Sequence, residues 1–195
     1  MFCHASGETE NLMNEAIALA QSGDKQAFGL IFEHHHRFIY KFIYAMLGNH
    51  ESAEELTQET FLGAYKNLKS LRNAAVLKTW LCGIAKNNVY KSFRSSRKAG
   101  LQSDDEFESL NLADDKNPLP DALFLSKELN DVIETALGKL DQDKRVVFVL
   151  KEIQQFSLNE IAEITGEAIP KLKSDLLRAK IKMQILLRPY LEVKK

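Results

Sequence analysis

The chain has 195 residues, 45% of them hydrophobic and 27% charged, a balance that fits a folded globular protein and excludes a disordered or collagen-like one. Its formal net charge of -1 excludes a uniformly basic surface, so any nucleic-acid contact must come from local clusters of cations. Cys3 and Cys82 offer neither a metal-ligand spacing nor a disulfide framework, no apolar run approaches the roughly 18 residues of a membrane span, and no secretory leader opens the chain, so the expected location is cytoplasmic.

With 9 Gly and 4 Pro the chain should form long helices with few tight turns, and no strand-like alternation or internal repeat is present. Residues 1–10 read as a polar, frayed end, followed by a short amphipathic helix from Leu12 to Gln21 that Ser22-Gly-Asp24 interrupts. Asp24 can cap a second helix, along which Phe28, Ile31, Phe32, His35, Ile39, Phe42, Ile43 and Met46 recur at helical spacing until Gly48-Asn49-His50. Within it Glu33 and His36 have the Glu-x-x-His spacing of carboxylate di-metal bundles. A second such motif is required and only His4 and His50 remain, so no metal and no cofactor is assigned.

A third helix is expected from about Ser52 to Leu68, with Leu56, Phe61, Leu62 and Tyr65 as its apolar stripe. Glu51, Glu55, Gln58 and Glu59 supply an acidic, amide-bearing surface beside that stripe. After a basic-polar break from Lys69 to Ala75, a fourth helix runs from about Val76 to Arg97, with Trp80 as a core anchor. Its end carries Lys91, Arg94, Arg97 and Lys98 with no acid among them. An acidic helix followed by a basic one implies two partners of opposite charge, one of them nucleic acid.

Residues 99–120 change character. Asp104, Asp105, Glu106, Glu108, Asp114 and Asp115, with Gly100, Pro118 and Pro120, compose an acidic flexible linker. Helical periodicity resumes at Asp121. Lys144 to Gln154 reads as an amphipathic helix with Val146, Val147, Leu150 and Ile153 inside. Ser157-Leu-Asn-Glu160 has the form of a capping box, Leu158, Ile161, Ala162 and Ile164 give the short helix an apolar face, and Gly166 is placed to end it. Pro170 can open a longer helix with Lys171, Lys173, Arg178, Lys180 and Lys182 over Leu172, Leu176, Ala179, Met183 and Leu186. Short helix, tight turn and longer basic helix together make a helix-turn-helix, whose second helix enters the major groove. The fold class is therefore all-α, in two small helical domains: an N-terminal extension 1–21, a first domain 22–98, the linker 99–120 and a second domain 121–195.

Several segments resemble the sigma-70 family of bacterial initiation factors, in its extracytoplasmic-function (ECF) group. Sigma region 2 is resembled by Ser22-Gly-Asp-Lys-Gln-Ala-Phe28, Ala53-Glu-Glu-Leu-Thr-Gln-Glu-Thr-Phe61 and Trp80-Leu-Cys-Gly-Ile-Ala-Lys-Asn87. Sigma region 4 is resembled by Leu158-Asn-Glu-Ile-Ala-Glu163, Leu172-Lys-Ser174 and Arg178-Ala-Lys180. The resemblance implies that Glu55, Gln58 and Glu59 dock on the clamp helices of the largest subunit of core RNA polymerase, with the flap of the second subunit as a further contact. It implies that Leu71 to Lys78 receives a flipped promoter base, and that Arg72, Asn73, Lys78, Asn87, Asn88, Lys91, Arg94 and Arg97 form the minus-ten surface. Lys171, Lys173, Ser174 and Arg178 would meet the minus-thirty-five element. The linker acids would thread toward the polymerase cleft, and an anti-sigma factor joins the implied partners. No small-molecule substrate and no enzymatic activity is implied.

The chain departs from the family pattern at Glu55 (usually Asp), Leu71 (usually aromatic), Glu167 (usually apolar), Lys171 (usually Thr) and Asp175 (usually Arg). Three alternatives stand beside the sigma reading. A helix-turn-helix regulator acting without polymerase leaves Glu55, Gln58 and Glu59 without a task. A divergent sigma would use its second domain mainly to bind an anti-sigma factor. A helical metal-dependent hydrolase or oxidase would carry bound metal, and no nucleophile-base pairing or phosphate-cradling Gly loop in the sequence favours it.

Overall fold

The computed structural model describes the backbone of residues 5–98 and 120–192, and the side chains of residues 11–98 and 129–190. The linker expected at 99–120 lies almost wholly outside the described residues, as do Cys3 and His4. Among those described there is no strand. The helices are α1 (Ala5–Ser22), α2 (Lys25–Leu47), α3 (His50–Asn67), α4 (Leu77–Lys98), α5 (Pro120–Gly138), α6 (Gln142–Phe148), α7 (Leu158–Thr165) and α8 (Ile169–Glu192).

The first domain is a four-helix assembly whose boundaries follow from local chemistry. The Asp24 carboxylate accepts from the backbone N–H groups of Gln26 (2.8 Å) and Ala27 (3.1 Å), starting α2. Gly48 ends α2 at φ 69°, a left-handed conformation that costs glycine little, and its N–H reaches the Tyr44 carbonyl. The Asn49 side chain then caps α3 on Ser52 N–H (2.8 Å). Ile31, Ile39, Phe42, Ile43, Met46, Leu81 and Val89 form the sealed centre, joined by Cys82, whose thiol burial pushes up to about 12. Cys82 therefore behaves as a small apolar side chain.

Helix α1 starts earlier than its sequence suggests, at Ala5 rather than Leu12. Once Ala16, Ile17 and Ala20 are buried and nucleate it, each added residue gains a backbone bond at little further cost. The Gln21 amide donates to the carbonyls of Leu68 (3.0 Å) and Leu71 (2.8 Å), tying the end of α1 to the segment after α3.

The apolar stripe expected on α3 needs correction. Leu56 and Phe61 are buried, but Leu62 is 60% exposed and Tyr65 is partly exposed, its ring edge-on to Phe28 at 4.9 Å. The inward positions are Ala53, Leu56, Thr57, Thr60, Phe61 and Ala64. Two threonines can sit inside because their hydroxyls donate to the carbonyls of Ala53 and Leu56, each at 2.6 Å. Hydrophobicity alone does not identify such positions.

The second domain forms the expected helix-turn-helix. Ser157 and Glu160 close a reciprocal capping box, and Gly166 ends α7 at φ 76°. The helix expected at 144–154 is not α-helical throughout: α6 gives way to a π-turn over Val149–Ile153, with Gln154 N–H bonded to the Val149 carbonyl (2.9 Å). The wider turn delays the angular phase, so Ile153, inward on an α-helical pattern, is 44% exposed. Gln155 follows at φ 62° and turns Phe156 into the core, where the Lys151 ammonium donates to the Phe156 carbonyl.

The two domains pack together, α7 against α4 and α2 against α5 and α6. Buried Tyr44 on α2 donates to Glu134 on α5 (2.9 Å), and burial together with that carboxylate pushes its phenol well above its usual range. Arg145 on α6 donates to three backbone carbonyls: Met46 (2.6 Å) at the end of α2, Gly138 at the end of α5, and Leu140 (3.1 Å). Burial lowers the Arg145 guanidinium to about 10, so it remains charged at neutral pH. A buried cation at two helix C-termini satisfies orphan carbonyls and opposes the negative ends of both dipoles. Replacing Arg145 by Ala strands those carbonyls and is expected to cost about 3 kcal/mol. Urea unfolding followed by circular dichroism measures this, and a loss below about 1 kcal/mol would show that water replaces the guanidinium.

Candidate nucleic-acid interface

On α3 the residues expected to meet a partner share one exposed face. Glu51, Glu54, Glu55, Gln58 and Glu59 all point outward, opposite the threonine-lined inner side. Leu62 lies at helical spacing from Gln58 and Glu59, an exposed apolar side chain at the edge of a carboxylate field. Gln58 and Glu54 also border a groove of about 330 Å³ between α2 and α3, lined by Phe32, His36, Arg37, Tyr40 and Lys41. The His36 ring stacks on Phe32 at 5.1 Å and its Nδ1 contacts the Glu33 backbone carbonyl (3.1 Å).

The segment between α3 and α4 is held by short-range bonds. Leu71 is buried, so it offers no stacking face to a base. Arg72 and Asn73 are exposed, and the Asn73 side-chain oxygen accepts from Ala75 N–H (3.0 Å), supporting the 3-10 turn Ala74–Val76. The Lys78 ammonium lies over the Phe38 ring at 4.0 Å and within 5.1 Å of the Phe156 ring, so a cation assigned to nucleic acid is also shared between the domains.

Helix α4 presents Asn87, Lys91, Arg94 and Lys98 in one exposed line, at steps of three and four residues. Arg97 is exposed nearby, and Arg94 Nε donates to the Tyr90 carbonyl of its own helix (3.2 Å). Asn88 differs from this line: it is half-buried, and its amide donates to Thr60 Oγ1 (3.2 Å), bracing α4 on α3. Toward the helix start the same side carries Trp80, Gly83 and Ile84, and there α7 lies across it. Trp80, Gly83, Lys86 and Asn87 share a cleft of about 500 Å³ with Glu163, Ile164, Thr165 and Gly166. Lys86 reaches the Thr165 carbonyl at the end of α7 (3.4 Å), with burial drawing its ammonium down and Glu167 opposing. Tyr90 donates to Asp143 Oδ1 (3.0 Å). Lys86 and Tyr90 carry no local sequence mark, because their partners lie 79 and 53 residues away along the chain.

On α8, Lys171, Lys173, Ser174 and Arg178 are exposed, with Leu172, Ala179 and Met183 buried beneath. Lys171 pairs with Glu167 (3.1 Å) and Asp175 (3.5 Å), so the three departures in this region meet one another. Lys180 is bound to Glu152 (3.0 Å), which leaves it less available to a ligand. Leu177, Ile181 and Ile185 form an exposed apolar line among these cations. No described helix is long and apolar enough to cross a membrane.

Comparison with known proteins gives a consistent likeness. The family described as Sigma-70 region 2 matches residues 31–99, and the family described as Sigma-70, region 4 matches residues 130–183. ECF RNA polymerase sigma factor SigW of Bacillus subtilis is 31% identical over 187 residues, covering 92% of this chain and 98% of that protein. The RNA polymerase sigma-H factor of Pseudomonas aeruginosa is 24% identical over 188 residues, covering 94% and 97%. Among solved structures, CnrH in complex with the cytosolic domain of CnrY superposes with a TM-score of 0.66 at 22% identity, covering 91% of this chain and 98% of that one, a likeness of fold. The sigma factor RpoE in complex with the anti-sigma factor NepR from Bartonella quintana also gives 0.66, at 26% identity, covering 83% and 96%.

His35 gives the stability of the fold a pH dependence. Burial, then the neighbouring His34 and Lys78 charges, lowers it from 6.5 to about 4. Between those values the unfolded chain binds more protons than the folded one, so stability falls as pH drops through 6.5 toward 4. His35→Gln is expected to remove about 1 kcal/mol of the stability lost between pH 7 and pH 5, partial exposure moderating the effect. Urea titrations at both pH values compare the two proteins, and identical losses would contradict the assignment.

Proposed function

The chain belongs to the sigma-70 family of transcription initiation factors, in its ECF group, and we propose that it binds core RNA polymerase through α3 and directs it to promoters, with α4 at the minus-ten element and α8 at the minus-thirty-five element. Members of this family are initiation factors and not enzymes. The observation that carries the proposal is the division of α3 into a threonine-braced inner side and an outer side bearing Glu55, Gln58 and Glu59. Carboxylates and an amide fixed on a rigid helix can make charge-assisted hydrogen bonds to arginines of a partner. Leu62 beside them supplies apolar area that excludes water. A DNA-binding regulator acting alone has no use for such a surface.

At the minus-ten element, Asn87 is the exposed amide able to read a base edge, while Lys91, Arg94 and Arg97 hold phosphates. Arg72, Asn73 and Lys78 border the segment assigned to a flipped base, whose extraction costs a few kcal/mol that pocket contacts must offset. Buried Leu71 does not stack there, so the adjoining polar groups carry more of the recognition. Helix α7, which lies across Trp80 and Gly83 beside Asn87, has to move away before a strand can lie along the whole of α4. Anti-sigma control in the cytoplasm fits the likeness to a sigma factor solved with an anti-sigma factor.

Two measurements test these roles. Glu59→Lys is expected to weaken binding of the chain to core polymerase at least tenfold, by placing like charges together. The check is co-elution at graded concentrations, with helicity unchanged. Parental binding by that variant would remove α3 as the docking surface. Asn87→Ala is expected to keep core binding while lowering discrimination at one minus-ten base roughly tenfold, read by transcription from promoter variants with core polymerase. Equal loss on every promoter would assign Asn87 to the backbone instead.

A further inference from the structure

Lys171 occupies an unusual electrostatic position for a helix that meets DNA. Its ammonium lies 3.1 Å from the Glu167 carboxylate and 3.5 Å from that of Asp175. The spacing of four residues on each side stacks all three side chains along one edge of α8 and the turn before it. The Asp175 side chain is only 14% exposed, whereas that of Lys171 is 45% exposed, so the acid is the inner member of the pair and the lysine the outer one. Glu167 holds Lys171 above its usual range, with Asp175 and Asp143 adding to the effect. Arg178, one further turn along, lies on the same edge and lines a polar groove of about 340 Å³ with Lys171, Asp175 and Arg97.

A lysine intended for phosphate would gain nothing from two carboxylates at contact distance, since they repel the phosphates that the ammonium attracts. They do restrict where its protons point. An ammonium has three donors, and two acceptors on one helix edge leave the third directed away from them. We propose that Glu167, Lys171 and Asp175 form a charge-compensated reading group, in which the two carboxylates position Lys171 to donate to a guanine O6 or N7 in the major groove. Lys171 is the specificity-determining residue, Glu167 and Asp175 are positioning residues, and Arg178 supplies phosphate attraction. This inference rests on the reading of α8 as the minus-thirty-five helix.

The test uses the full chain with core polymerase on a library randomised in the minus-thirty-five element, at several salt concentrations. Lys171→Ala should abolish preference for guanine at one position, by roughly tenfold or more, leaving the salt dependence nearly unchanged. Glu167→Gln and Asp175→Asn should each reduce that preference while steepening the salt dependence, because the freed ammonium then turns to phosphate. Arg178→Ala should weaken binding across all sequences and make the salt dependence shallower. If Lys171→Ala instead weakens all sequences equally with a shallower salt slope, Lys171 is a phosphate contact and the proposal is overturned, while α8 remains the DNA helix. If neither Lys171→Ala nor Arg178→Ala changes minus-thirty-five protection, the placement of α8 on DNA fails, and the reading group with it.

Discussion

One buried guanidinium organises the meeting of the two domains. Helices α2 and α5 both end where Arg145 can reach them, and a helix end buried without partners is costly. Arginine suits the task because it keeps its charge when desolvated and offers donors in several directions from one plane. Its own helix is short and passes into a π-turn, so its placement depends on Val146, Val147, Val149 and Leu150 being locked in the core. Packing fixes α6, α6 aims Arg145, and Arg145 joins domains that the sequence separates by a long acidic segment.

That junction bears directly on function. The α4 side that carries Asn87 is continuous with the side that α7 covers, and Lys86 spans the contact. Lys78 has aromatic neighbours in both domains, Phe38 and Phe156. These groups are polar or cationic, and their partners are a helix-end carbonyl and two rings. Each such contact is modest and could be exchanged for a phosphate or a base at similar energy. The Tyr44–Glu134 and Arg145–Met46 bonds are instead buried and demanding. Small exchangeable contacts therefore line the α4–α7 part of the seam, and the buried, more demanding bonds join α2 to α5 and α6.

Much of the candidate site was legible from one chain of letters because its signals are local. Asp24, Asn49 and the Ser157–Glu160 capping box act over two or three residues, and Gly48 and Gly166 stand where left-handed turns are required. The acidic outer side of α3 and the cationic end of α4 follow from helical spacing. Sequence and structure diverge where a side chain's environment overrides its type. Leu62 faces outward while Thr57 and Thr60 face inward, because hydroxyls bonded to their own helix can be buried and a leucine one step out of phase cannot turn inward. Ile153 faces outward against its helical spacing because the π-turn is a property of packing and leaves no periodic mark. Asn88, adjacent to Asn87 and chemically identical, was distinguishable only by its bond to Thr60.

The sequence by itself determined the helices, their caps, the helix-turn-helix and the opposite charges of α3 and α4, since each depends on residues within a turn or two of one another. The tertiary structure decided which of two like residues is available to a partner, and which cation already has one. It converted Asp175 from an isolated repulsive charge into the anchor of Lys171, and joined Tyr44 to Glu134 across 90 residues. Hydrogen bonds and ion pairs act over a few ångströms of space. Only folding sets that distance for residues far apart in the chain.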